Sequence, residues 1–211
     1  SGAKKGKNIT GKDIKINSVG KSYVAKELKM LFKNPIFFVQ CILPSVLMPV
    51  VFLGIFIVSI NSNNSQEAID EFQNVLSGFI ETPIGLAVIL AITEFLTSML
   101  YIAPTAISRD GQNAIFMKYI PVPYYKQLIY KGIPNVIFGT ITSLIVLIFI
   151  YVVAKPSLAF LLTALLLNLI LLILQTLLME LVDLRKPKLE WSTEYAVVKQ
   201  NMNLLWPFVL N

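Results

Sequence analysis

The sequence predicts an all-α, polytopic helical membrane protein with four complete transmembrane helices, the start of a fifth, and amphipathic helices at the membrane surface. Hydrophobic residues make up 55% of the 211 residues and charged residues only 14%, a composition far from that of a soluble domain. Four apolar runs reach the roughly 20 residues that a helix needs to cross about 30 Å of hydrocarbon. These runs lack the alternation of barrel strands, so we expect a helical bundle.

The elements follow one another within a membrane domain at 21–211. In chain order, the prediction is a flexible basic linker at 1–20, a surface helix at 21–34, spans at about 36–60, 83–107, 133–154 and 157–180, and a truncated fifth span from 204. A capping residue followed by proline stands at Asn34-Pro35 and at Thr82-Pro83. This order is favoured at helix starts, so both dipeptides indicate where a span begins.

The cations predict the orientation. Of the 18 Lys and Arg residues, all except Lys155 precede the first span, lie between spans two and three, or follow span four. The loop at 61–82 has four acidic residues and no cation. Lys and Arg accumulate in cytoplasmic loops, so the amino terminus and both basic loops are expected in the cytoplasm. The net charge of +6 is therefore an orientation signal, and no nucleic-acid partner is expected.

Two segments outside the spans have apolar faces at helical spacing. In 21–34 the apolar positions are Val24, Leu28, Leu31 and Phe32, and lysines occupy other positions around the helix. This pattern predicts a basic amphipathic helix on the inner membrane surface. A solvated helix of a further domain is the alternative.

The second amphipathic segment is acidic and lies on the opposite side of the membrane. Its apolar face comprises Ile69, Phe72, Leu76, Phe79 and Ile80. We expect this helix to cap the outer mouth of the bundle.

The loop at 108–123 contains a small apolar patch. Gly111 and two prolines bracket a segment long enough for about two helical turns, which includes Ile115, Phe116 and Tyr119. An exposed apolar patch beside a membrane is typical of a docking site for a partner.

Three groups of motifs resemble a known family. They are Lys26-Glu27-Leu28 with Asn34-Pro35, Ser108-Arg109-Asp110-Gly111 with Lys118-Tyr119-Ile120-Pro121-Val122, and Pro187-Lys188-Leu189-Glu190-Trp191 with Val198-Lys199-Gln200-Asn201. With these motifs, residues 21–211 resemble the permease subunits of ATP-binding-cassette (ABC) transporters of the type-two exporter class, particularly a bacterial subfamily common in Firmicutes.

The resemblance implies roles for several segments. It makes 21–34 the connecting helix, and it makes the loop after span two the coupling helix, which sits in a cleft of the nucleotide-binding subunit. The residues expected to couple the two subunits are Arg109, Asp110, Gly111, Phe116 and Pro121. The implied partners are a separate ABC ATPase subunit and a second permease half, in the same or a linked chain.

ATP is expected to bind the partner subunit, and this chain is expected to have no enzymatic activity and no cofactor. Gly20-Lys21-Ser22 matches only the end of a phosphate-binding loop, because Lys15 occupies the position that requires glycine. The chain has no histidine and one cysteine, so no metal site is expected.

Glu94 is the one ionisable residue deep in a predicted span. Ala91 and Ser98 share its helix face at steps of three and four residues, so the carboxyl group should point into the bundle. Intramembrane charges usually line a pathway or meet a partner. Glu94 and Ser98 are therefore candidate pathway residues, together with Asn168 and Gln175 of span four. Buried structural hydrogen bonds and contacts between helices are the alternatives.

The sequence therefore favours a permease subunit of an exporter in the bacterial cytoplasmic membrane. It would move an unidentified substrate with energy from ATP hydrolysed by its partner. Two alternatives stay open: a proton-coupled secondary transporter that uses Glu94, and a non-transporting membrane scaffold.

Overall fold

The computed structural model describes residues 18–62, 66–199 and 201, and all regular secondary structure among them is helical. This confirms the all-α fold class. The helices are α1 (Val19–Lys33), α2 (Pro35–Phe37), a π-helical turn (Phe38–Ile42), α3 (Leu43–Ser62), α4 (Gln66–Ile80), α5 (Pro83–Ser98), two 3₁₀ segments (Ala103–Thr105 and Ser108–Lys118), α6 (Tyr124–Ala154), α7 (Leu158–Arg185) and α8 (Glu194–Lys199). Most of the predicted linker, at 1–17, and the fifth span from 204 lie outside the described residues.

Four helical stretches are long and apolar enough to cross a membrane, which confirms the four predicted spans. They cover Pro35–Ser59, Pro83–Thr105, Tyr124–Ala154 and Leu158–Arg185. The last two extend beyond their apolar runs into segments with basic residues, which are good helix formers. Of these residues, Lys126 and Arg185 are exposed, whereas Lys131 is buried. We call the end of the bundle that carries α1, the loop at 108–123 and the segment after α7 the basic end.

Both predicted helix starts are capped. The Asn34 side-chain oxygen accepts a hydrogen bond from the Ile36 N–H at 3.0 Å, and the Thr82 hydroxyl oxygen accepts one from the Gly85 N–H at 3.1 Å. A proline occupies the first turn in each case. Such caps each stabilise a helix by about 1 kcal/mol, so the sequence pattern identified real helix starts.

The second span is broken, whereas the sequence predicts one continuous helix. Residues 99–102 are not helical. The Tyr101 N–H donates to the Cys41 carbonyl oxygen at 3.1 Å, and the Ala103 N–H donates to the Asn135 side-chain oxygen at 3.3 Å. Irregular backbone at membrane depth requires internal hydrogen-bond partners of this kind. Neighbouring helices therefore make the break possible.

Helices α6 and α7 form the centre of the bundle. Helix α6 packs against α7, α3 and α1, and α5 packs against α7. At Gly139 of α6 an added Cβ atom would lie 2.5 Å from Leu172 Cδ1. Only a residue without a side chain permits this approach, as is common between membrane helices.

Each end of the bundle has its own apolar cluster. At the basic end the buried members are Leu31, Phe37, Cys41, Ile42, Leu100, Ile102, Val197 and Val198. At the opposite end they are Ile80, Ile89, Val146, Ile150 and Ala154, and Leu76 packs against them. The acidic helix α4 therefore joins the bundle through part of its predicted apolar face, while the side chains of Ile69 and Phe72 lie outside the described part of the chain.

The helix predicted at 21–34 is present as α1, but its buried face is not purely apolar. Its buried residues are Tyr23, Glu27 and Leu31, whereas Phe32 is 57% exposed. The side chain of Glu27 is completely buried. A buried carboxylate needs a compensating charge, and this charge comes from elsewhere in the chain.

Candidate functional site

The predicted apolar patch is exposed at the basic end. Ile115, Phe116 and Tyr119 are 53%, 59% and 76% exposed, and Pro121 is also exposed. We call Ile115, Phe116 and Tyr119 the exposed patch. Ile115 and Phe116 lie in a 3₁₀ helix that ends at Lys118, rather than in the two α-helical turns that the loop length allows, and Tyr119 follows this helix.

The five predicted coupling residues fall into two groups. Phe116 and Pro121 are exposed, but Arg109, Asp110 and Gly111 are buried, with Arg109 only 2% exposed. The three buried residues lie at the start of the 3₁₀ helix, where they contact other parts of this chain. We call residues 108–111 the root of this helix.

Asp110 belongs to a buried ionic cluster at this root. The Lys131 ammonium group lies 2.6 Å from Asp110 Oδ2 and 2.9 Å from Glu27 Oε1, and it also donates to the Ala106 carbonyl oxygen at 3.0 Å. Lys26 adds a more exposed contact with Asp110 Oδ1 at 3.2 Å. We call Glu27, Arg109, Asp110 and Lys131 the ionic cluster, which joins α1, the loop and α6.

Arg109 links the cluster to the broken part of the second span. Its Nη1 group donates to the Ile102 carbonyl oxygen at 2.5 Å and to the Thr105 hydroxyl at 2.7 Å. Its Nη2 atom lies 3.7 Å from Glu27 Oε2. Arg109 therefore fixes the 3₁₀ turn that replaces the end of the predicted helix.

The surroundings of the cluster change the proton affinity of Asp110 and of the neighbouring Tyr23. Burial by itself raises the pKa of Asp110, but the charges of Lys131 and Lys26 outweigh burial and hold the pKa below its usual range. Burial and then the charge of Glu27 raise the pKa of Tyr23 to about 12. Asp110 is therefore charged and Tyr23 neutral at physiological pH.

Asp183, near the end of α7, caps the root of the 3₁₀ helix. Its Oδ2 atom accepts hydrogen bonds from the Ile107 N–H at 2.7 Å and from the Ser108 N–H at 2.9 Å. Its Oδ1 atom accepts a third from the Ser108 hydroxyl. A carboxylate at this position compensates the free N–H groups and the positive dipole of a helix start.

The segment after α7 packs on the same root. The Ser108 hydroxyl oxygen accepts hydrogen bonds from the Lys188 N–H at 2.9 Å and from the Asn201 side-chain amide at 3.3 Å. The Trp191 indole N–H donates to the Ser108 carbonyl oxygen at 3.0 Å. Gly111 has φ +55°, and an added Cβ atom would lie 3.0 Å from Trp191 Nε1. Glycine at this position thus serves both the backbone turn and the close indole contact.

The other end of the loop is attached through Gln127 of α6. Its completely buried side-chain amide donates to the carbonyl oxygens of Met117 at 3.0 Å and Val122 at 2.7 Å. The Tyr23 hydroxyl donates to Gln127 Oε1 at 3.4 Å. The exposed patch therefore lies on a segment that is anchored at both ends.

The three motif groups that are far apart in the sequence meet at this root. Glu27 of the first lies beside Arg109 of the second, and Ser108 contacts Lys188 of the third. Sequence reasoning did not identify Lys131, Asp183 or Gln127 as members of the site. The only signal for them was a polar or charged residue beside an apolar run, which is also where membrane-surface residues stand.

Three of the predicted pathway residues form a second buried polar network within the bundle. Glu94 is 8% exposed and lies inside the bundle, as predicted. Its Oε1 atom accepts a hydrogen bond from the Asn168 amide at 3.3 Å, and its backbone oxygen accepts one from the Gln175 amide at 3.5 Å. Ser143 extends the network by donating to Asn168 Oδ1 at 2.5 Å.

Ser98 is also buried, but its hydroxyl donates within its own helix, to the Phe95 carbonyl oxygen at 2.6 Å. Hydrogen bonds therefore join Glu94, Asn168 and Gln175, whereas Ser98 bonds within its own helix.

Comparison of the chain with protein-family models, with curated proteins and with solved structures finds no match.

Proposed function

We propose that this chain is the membrane-spanning permease subunit of an ABC-type exporter in the bacterial cytoplasmic membrane. It would move an as yet unidentified substrate with energy from ATP hydrolysed by a separate subunit. The observation that carries the proposal is the exposed patch, which lies outside the four apolar helices on a segment anchored at both ends.

The form of this attachment supports a coupling role. Exposed apolar residues grouped in one short segment favour contact with another protein, and Phe116 is 59% exposed. The root of the segment is bonded to α6 through Lys131 and to α7 through Asp183. A partner that moved the patch would thus move two membrane helices, as an ATP-driven permease requires.

The remaining features of the proposal rest on charge and on the family resemblance. The basic end faces the cytoplasm by the distribution of its cations, where an ATPase subunit has access to ATP. The other partners are the lipid bilayer and a second permease half. The catalytic groups for ATP hydrolysis belong to the ATPase subunit.

A binding experiment with a matched control tests the docking site. Full-length permease and its ATPase subunit are extracted in mild detergent, and the amount of retained ATPase is measured by affinity capture. We expect Phe116→Asp to release the ATPase, because the substitution places a charge in an apolar contact.

The control is Asn113→Asp, which adds the same charge at an exposed polar position of the same 3₁₀ helix. We expect this variant to retain the ATPase. Retention by Phe116→Asp, or equal release by both variants, would remove the exposed patch as the docking site.

The buried network around Glu94 favours a second candidate, a proton-coupled secondary transporter. Transport in vesicles separates the two functions. The permease assembly should transport with ATP alone, and Glu94→Gln should alter the rate without abolishing transport, because the amide keeps the size and most hydrogen bonds of the carboxyl group. Uphill transport driven by a pH gradient alone, and lost in Glu94→Gln, would favour the secondary transporter. Absence of transport under both conditions would favour the scaffold.

A further inference from the structure

We propose that a groove between α1 and α6 binds an anionic phospholipid of the surrounding bilayer. The groove is lined by Gly20, Lys21, Val24, Leu28, Tyr130 and Ile133. These residues belong neither to the exposed patch nor to the network around Glu94. The proposal depends on the membrane-spanning fold and is independent of the transport mechanism.

One part of the groove suits an acyl chain. Val24, Leu28 and Ile133 are partly exposed apolar side chains. On α6, Ile129 and Ile137 are 49% and 40% exposed, and they lie one turn before and one turn after Ile133 on the same face. The apolar floor of the groove is therefore continuous with the lipid-facing surface of α6.

The other part of the groove suits an anionic headgroup. Lys21 lines the groove and is exposed, and the exposed Lys126 lies one turn before the lining residue Tyr130 on the same face of α6. The only acidic residue in α1 or α6 is Glu27, which is completely buried and paired with Lys131 at 2.9 Å. Within α1 and α6, the exposed side chains around the groove are therefore basic or neutral, which favours a phosphate group with a net negative charge.

The order of these groups along the groove matches that of a phospholipid in the membrane. Helices α1 and α6 run in the same direction here, since Tyr23 contacts Gln127 and the rings of Phe32 and Phe138 lie 5.9 Å apart. The first span starts at Pro35, immediately after α1. Lys21 and Lys126 therefore lie farther from the start of the first span than the apolar floor does, on the side where headgroups are found.

Lipid retention measures this binding directly. The protein is reconstituted in nanodiscs that contain equal amounts of phosphatidylglycerol and phosphatidylcholine. After the protein is released from the nanodiscs, the lipids that remain bound to it are counted by native mass spectrometry. We expect the wild type to retain phosphatidylglycerol preferentially. The double variant Lys21→Gln with Lys126→Gln should lower this preference by roughly fivefold for each lysine.

The matched control is Lys118→Gln with Arg185→Gln, which removes the same charge from exposed positions at the basic end outside the groove. It should keep the wild-type preference, and an excess of inorganic phosphate should not displace the lipid. The proposal fails if the wild type shows no preference, if the groove variant keeps it, or if the control loses it equally. Displacement by inorganic phosphate would instead identify a site for the free anion and would also overturn the proposal.

Discussion

Glu27 and Glu94 are both buried carboxylates in the same bundle, but they lie in different surroundings. Glu27 meets three cations, with Lys131 at 2.9 Å, Lys26 at 3.5 Å and Arg109 at 3.7 Å. Glu94 lies deep in a membrane span, where it accepts a hydrogen bond from the neutral amide of Asn168 at 3.3 Å. One carboxylate is neutralised by full charges, and the other is solvated by an amide dipole.

This difference indicates different roles for the two regions. Removing a partner from the ionic cluster leaves an uncompensated buried charge, so the cluster fixes the relative positions of α1, the loop and α6. The hydrogen bond from the neutral Asn168 amide to the Glu94 carboxyl group can persist when that group becomes neutral. We therefore expect the ionic cluster to act as a joint that holds α1, the loop and α6 in fixed relative positions. The Glu94 network, by contrast, should tolerate a change in the charge of Glu94.

The largest expected effect is at Lys131. Lys131→Met removes the cation that contacts both Glu27 and Asp110, and breaking such a buried pair costs about 3 to 5 kcal/mol. Thermal unfolding in detergent should therefore show a large loss of stability. The exposed Lys118 provides the control, because Lys118→Met should change stability by less than about 0.5 kcal/mol.

A second substitution sharpens this test. Adding Glu27→Gln to Lys131→Met removes one of the two carboxylates that lose Lys131, so the double variant should lose less stability than the sum of the two single variants. Equal stability of Lys131→Met and the Lys118→Met control would show that the cluster is not a joint.

An intermediate effect is expected from pH at Asp110. Its pKa in the folded state lies below its usual range, and the unfolded value is about 3.9. The stabilisation by Asp110 is therefore fully present above the unfolded pKa and is lost as pH falls through the folded pKa. The stability difference between wild type and Asp110→Asn should be constant near neutral pH and should shrink below about pH 4.

Unfolding measured at a series of pH values checks this expectation. A difference that persists unchanged into strong acid would mean that Asp110 stabilises the fold without its charge.

The smallest effect is expected at Glu94. Glu94→Gln retains an oxygen that can accept the Asn168 hydrogen bond, so the loss of stability should stay below about 1 kcal/mol. Glu27→Gln should cost more, because it leaves Lys131 and Arg109 with one fewer counter-charge. Thermal unfolding of the two variants side by side compares the two regions most directly. Equal losses of stability would contradict the proposed difference between the ionic cluster and the Glu94 network.

Local features of the sequence predicted much of the fold. Apolar length gave the four spans, the Asn34-Pro35 and Thr82-Pro83 pairs gave two helix starts, and the apolar residues around Phe116 gave the exposed patch. Each of these depends on neighbouring residues, because hydropathy, capping and turn formation act over a few positions of the chain. The inward position of Glu94 followed in the same way from the spacing of small residues on its helix.

Only the tertiary structure decided which charges pair. Lys131 meets Glu27 across 104 positions of the sequence, and Asp183 meets Ser108 across 75, so no local pattern could assign either contact. The break in the second span likewise depends on a carbonyl oxygen of Cys41 and an amide of Asn135, which compensate a backbone that hydropathy alone predicts as helix. A charge can be buried where distant segments supply a counter-charge or hydrogen bonds. For this reason the loop residues Arg109 and Asp110 are buried in the tertiary structure, although the local sequence predicts only a loop.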